Sequence, residues 1–103
     1  MLAGQTTAFL RGVMLAALLL VAGCETMPVQ EMSDARQAIT AAREAGAEEH
    51  AAEALLEAEE SLQSAEKYLN TRNYSIARRD ALDAKARAMD AIRLSEAAEQ
   101  AQN

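Results

Sequence analysis

After Pro28 the chain runs to Asn103 with no further proline and a single glycine, Gly46. The residues between are dominated by alanine, glutamate, leucine and arginine, which lose least on entering a helix. Strands are not credible in such a stretch, and an all-α fold is predicted. Only Gly46 and the polar run Asn70-Thr71-Arg72-Asn73 interrupt it, so three helices are expected, over about 29–45, 51–69 and 74–98. Gly46 should end the first, because glycine tolerates the left-handed backbone of a helix C-terminal cap. The second opens near Ala51, or as early as Glu48. Asn73 is expected to cap the third by accepting a hydrogen bond from a free first-turn amide.

Side-chain spacing assigns the faces. Met32, Ala35, Ala38, Ile39, Ala42 and Ala45 recur at three and four residues, one face of the first helix. Leu55, Ala58, Leu62, Ala65 and Leu69 form a heptad-like stripe on the second. The third carries Ala77, Ala81, Ala84, Ala88 and Ala91, extended by Ser95 and Ala98. The short turn between the second and third helices predicts an antiparallel hairpin, with leucines over small alanines at close axial separation. Leu82, Met89 and Ile92 adjoin the alanine stripe and are expected to receive the first helix. The architecture is thus a small alanine-rich antiparallel hairpin or a three-helix bundle. Ile39 and Ile92 are expected on an outward apolar stripe that a partner would use.

Charge placement favours the hairpin. Glu48, Glu49, Glu53, Glu57, Glu59, Glu60 and Glu66 lie before the turn, and Arg72, Arg78, Arg79, Lys85, Arg87 and Arg93 after it. Ion pairs across the two helices are expected at the seam flanks, each worth about 0–1 kcal/mol when exposed.

The first 23 residues read differently. Arg11 is the only charge before Cys24, and the apolar stretch Gly12 to Val21 has the length of a signal-peptide core, too short to span a bilayer. Val21, Ala22 and Gly23 put small side chains before the chain's one cysteine, as signal-peptidase recognition requires. Cys24 supplies the thiol that a lipid-transferring enzyme alkylates. Residues 1–23 are therefore expected to be a cleaved lipoprotein leader, 24–28 an acylated linker and 29–103 the helical domain. Two or three acyl chains make such an anchor effectively permanent. Glu25, rather than aspartate, follows the cysteine. By resemblance to the sorting rule of Gram-negative lipoproteins, this implies an outer-membrane address facing the periplasm.

Several function classes are disfavoured. The residues after the leader carry a net charge of −7, against the basic patch that nucleic acid requires. The same charge argues against docking to anionic lipid and leaves the acyl chains as the membrane contact. His50 is the only histidine, expected at an exposed helix start beside Glu48 and Glu49, with no thiol to activate. Glu49, Glu53 and Glu57 have the spacing common on solvated helices, and no phosphate-binding glycine loop occurs. The aromatics are Phe9, Tyr68 and Tyr74, too few to wall a sizeable pocket. The expectation is a non-enzyme with no catalytic residue, metal or cofactor beyond the covalent lipid on Cys24.

The order A-I-x-x-A-x-x-A-G-A at Ala38 to Ala47, L-x-x-A-E-x-x-L at Leu55 to Leu62, Asn73-Tyr74 and the repeated alanines resembles the domain-of-unknown-function family numbered 4398. The likeness spans residues 29 to 98. Where many relatives open the second helix with an aromatic and a proline, this chain has His50 and Ala52. The resemblance implies a short helical lipoprotein of the bacterial envelope, some members standing beside peptidoglycan-binding domains, and carries no catalytic residue. Asn73, Tyr74 and Ala77 also resemble one tetratricopeptide unit, an array that needs about three copies to bury a core. Tyr68 and Tyr74 are read as turn-packing residues. The expected function is an envelope scaffold or protein-interaction module held to the membrane by its acyl chains, with an envelope protein as partner. The alternative is a periplasmic peptide- or ligand-binding module with a tetratricopeptide-like groove.

Overall fold

The computed structural model describes residues 26–103 together with Arg11. Residues 26–103 form four helices and no strand: α1 Val29–Glu44, α2 Ala47–His50, α3 Ala52–Asn70 and α4 Tyr74–Gln102. The fold is all-α, and α1 joins the α3–α4 hairpin to make a three-helix bundle. Glu31 meets Arg78 and Asp34 meets Lys85, so α1 and α4 run parallel. Arg36 meets Glu66 and Arg43 meets Glu59, so α3 runs against both.

Backbone chemistry sets the helix ends. Gly46 takes φ 87° and ψ 24°, and its N–H donates to the Arg43 carbonyl at 3.0 Å, closing α1. Its own carbonyl then accepts from Glu49 and His50, starting the single turn of α2. Ala51, at φ −149°, breaks the helical path, and α3 begins at Ala52. The expected early start near Glu48 is thus a separate turn.

α3 ends in a Schellman arrangement, with Asn73 N–H donating to the Tyr68 carbonyl at 2.9 Å and Arg72 N–H to that of Leu69 at 3.1 Å. Arg72 holds the left-handed position at φ 62°. The expected Asn73 cap does not form. The Asn73 side-chain amide is drawn back into the turn, where Nδ2 donates to Thr71 Oγ1 at 3.0 Å.

The core is built from close approach. Twelve of its fifteen buried apolar residues are alanine, with Met32, Ile39 and Leu55 supplying the larger side chains. One cluster packs Ala38, Ile39 and Ala42 with Ala47, Leu55, Ala58, Ala88 and Ala91. The other packs Met32 and Ala35 with Ala65, Ala81 and Ala84, and Leu62 touches both. Ser95, buried at the end of the seam, satisfies its hydroxyl by donating to the Ala91 carbonyl at 2.7 Å.

Two packing expectations are overturned here. α1 docks on the alanine seam itself, leaving Leu82 and Met89 51% and 52% exposed. Alanine ends at Cβ, so one narrow arc of α4 admits both neighbours at short range and the adjoining stripe is not needed. Ile39 is 2% exposed and belongs to the core rather than an outward stripe; Ile92 is partly buried against the same cluster.

Candidate interaction surfaces

Ion pairs bind α1 to both of its neighbours, a pattern that differs from the expected α3–α4 pairing. Arg36 reaches Glu66 at 3.5 Å and Arg43 reaches Glu59 at 2.5 Å on the α3 side. On the α4 side Glu31 receives Arg78 at 3.2 Å and Asp34 lies 3.9 Å from Lys85. Among the described residues one ion pair, Arg87 with Glu57, joins α3 to α4 directly. Hydroxyls supply the rest of that seam: Ser61 donates to Asp83 at 2.6 Å and Ser64 to Asp80 at 2.7 Å. The Ser61 hydroxyl first, and Arg87 second, hold the Asp83 carboxyl below its ordinary range. Asp83 in turn raises the Arg87 guanidinium.

Between α1 and α3 lies an open groove of about 430 Å³, with Ile39 and Leu62 among its lining residues and Leu56 exposed within it. The Arg36–Glu66 and Arg43–Glu59 pairs join its two walls. Elsewhere α4 carries Leu82 and Met89, seven residues apart and about half exposed. Each follows a buried seam alanine, Ala81 or Ala88, by one residue, which is about 100° around the helix. That phase was readable in the sequence and marks both side chains as lying off the seam.

The residues predicted to carry chemistry fall in two places. Val21, Ala22, Gly23, Cys24 and Glu25 lie outside the described residues. The described chain resumes at Thr26, whose carbonyl accepts from Arg78 Nη2 at 3.0 Å at the start of α4. His50 ends α2 with its side chain 19% exposed and its Nε2 3.9 Å from Glu49. Its ring packs beside Gly46, where an added Cβ would stand 3.4 Å from Cδ2. Tyr68 and Tyr74 are half-buried on either side of the α3–α4 turn. Among the described residues no three His, Cys, Asp or Glu side chains converge on a metal position, and no helix is long and apolar enough to cross a membrane.

The family of domains of unknown function (DUF4398) matches residues 30–103, from the second residue of α1 through the end of α4. The chain belongs to this family. The match covers the whole bundle, so the alanine seam, the Gly46 turn and the α3–α4 hairpin all fall inside the family's domain. No curated protein and no solved structure matches the chain.

Proposed function

We propose that the chain is a non-catalytic lipoprotein, held in the outer membrane by acyl chains on Cys24 and facing the periplasm, whose helical domain binds or braces another envelope protein. The leader supports the anchor: small residues at Val21, Ala22 and Gly23, the thiol of Cys24, and Glu25 behind it. The observation that carries the interaction role is the pair Leu82 and Met89, large apolar side chains seven residues apart and about half exposed on one face of the longest helix. Exposed apolar side chains gathered on one face are the usual ground for protein association.

Two measurements test this. A fatty-acid probe should label the chain and fail to label Cys24→Ser; equal labelling of both contradicts the anchor. A photo-crosslinking residue at Met89 should give one discrete adduct with an envelope protein. That adduct should disappear with Leu82→Glu while helical content stays unchanged. The same adducts from a crosslinker at Gln63, on the opposite groove, would contradict the assignment of the face. The second reading, a peptide- or ligand-binding module, rests on the α1–α3 groove and predicts the reverse: capture at Gln63 of assorted peptides or small molecules.

A further inference from the structure

The fold sorts charge by end. At the end where Thr26 meets α4, the exposed side chains of Lys67, Arg72 and Arg79 surround the α3–α4 turn, and Lys67 and Arg72 enter no ion pair among the described residues. Among the described residues the acids of this end are engaged, Glu66 by Arg36 and Asp34 by Lys85 among them. Glu31 is held by Arg78 and Asp80 by Ser64 and Arg79. The opposite end exposes Glu44, Glu48, Glu49, Glu53, Glu96 and Glu99. The net negative charge that argues against lipid binding therefore belongs to one end of the bundle and not to the other.

We infer that the basic end is a membrane-facing tip, which rests on anionic phospholipid headgroups once the chain is anchored. This rests on the proposed acylation of Cys24, two residues before Thr26, because that anchor brings this end and not the other to the bilayer. Three further features of the same end support it. Met27 and Val29 are 52% and 67% exposed there, apolar side chains available to the headgroup boundary. Tyr68 and Tyr74 flank the turn, and tyrosine favours the membrane–water interface. Arg72 holds a left-handed position where glycine is less strained, so a cation is kept at the outermost turn against backbone preference.

Distance removes the objection from net charge. The 19 residues of α3 span about 28 Å, whereas charges are screened over about 8 Å at physiological salt. The acidic end is thus outside the surface field. An acyl anchor together with a few cations is the two-signal combination that fixes a protein to anionic membrane.

The test uses the acylated full chain in vesicles. Lipid on Cys24 blocks the one native thiol, so Ser75→Cys at the tip and Glu49→Cys at the far end each give a single site for an environment-sensitive fluorophore. In vesicles containing phosphatidylglycerol, a headgroup-borne quencher should reduce the Ser75→Cys signal and spare Glu49→Cys. Added salt, or vesicles of phosphatidylcholine alone, should weaken the quenching at Ser75→Cys and leave Glu49→Cys as it was. Lys67→Gln, Arg72→Gln and Arg79→Gln combined should do the same while the protein still floats with the vesicles and keeps its helical signal. Salt dependence of the otherwise unaltered tip gives the same answer should the triple variant not fold. Equal quenching at both sites, or quenching indifferent to lipid charge and salt, in vesicle-bound protein overturns the tip alone. Protein left unbound in the supernatant overturns the anchor and the tip with it.

Discussion

The bundle turns its chain at both ends through the same left-handed backbone, but with opposite residues. Gly46 supplies φ 87° at the acidic end, where it closes α1 and starts α2. Arg72 supplies φ 62° at the basic end, where it closes α3. Glycine adopts this region without steric penalty, whereas a residue with a Cβ is strained by about 1–2 kcal/mol. One end is therefore relaxed, and the other retains strain together with a cation. Folding accounts for the glycine at the acidic turn, whereas at the basic turn it leaves the strain at Arg72 unrelieved.

Both ends depend on the alanine seam they share. Ala84 and Ala88 are fully buried, one in each cluster, and leucine at either forces helices apart at a cost of about 1–3 kcal/mol. Leucine is a good helix former, so lost stability would report packing. Urea unfolding should show the loss for both variants. Hydrogen exchange should place the loosening at the basic end for Ala84→Leu and at the acidic end for Ala88→Leu. Unchanged stability in both would mean that the seam is not the core.

A smaller effect is expected at the acidic end. Gly46→Ala puts a Cβ at φ 87° and 3.4 Å from the His50 ring, and should destabilise by about 1–2 kcal/mol. His50→Ala should leave folding nearly intact, since its ring packs on the glycine and makes no other structural bond than its 3.9 Å approach to Glu49.

The smallest expected effect lies midway between the ends. Asp83 is lowered from its ordinary value of 3.8 in the folded state, so its stabilisation is complete above that value. It is lost as pH falls through the lower folded value. Stability should therefore decline below about pH 4. Asp83→Asn should flatten that part of the profile, and Ser61→Ala, which removes the largest cause, should flatten it in part. An acid profile identical in all three proteins would contradict the Ser61–Asp83–Arg87 cluster.

Much of this fold was legible because helix phase and turn residues are local signals. The seam from Ala77 to Ser95 follows directly from its spacing, and Gly46 announces its own conformation. The docking of α1 was not legible. Spacing shows that Met32, Ala35 and Ile39 share a face, but not that the small alanines of α4 admit α1 beside α3. The charge pattern misled for a similar reason: acids before the turn and bases after it suggest a two-helix ladder, yet Arg36, Arg43, Glu31 and Asp34 draw four of them, Glu66, Glu59, Arg78 and Lys85, to α1. Among the candidate surfaces, the off-seam position of Leu82 and Met89 is readable from their phase, but their exposure is not, since Ile92 shares that phase and packs against the core. The basic tip is not readable either, because Lys67, Arg72 and Arg79 gather with Thr26 only after the chain has folded back.

Arg72→Gly tests whether the basic end keeps strain in exchange for a surface cation. Removing the strained Cβ should raise unfolding stability by about 1 kcal/mol. The same substitution should weaken headgroup quenching at the tip in phosphatidylglycerol vesicles. Higher stability with weaker contact is the predicted pair of results. Stability that falls, or tip contact that stays unchanged, would show that Arg72 is either unstrained or irrelevant to the membrane, and would contradict the account.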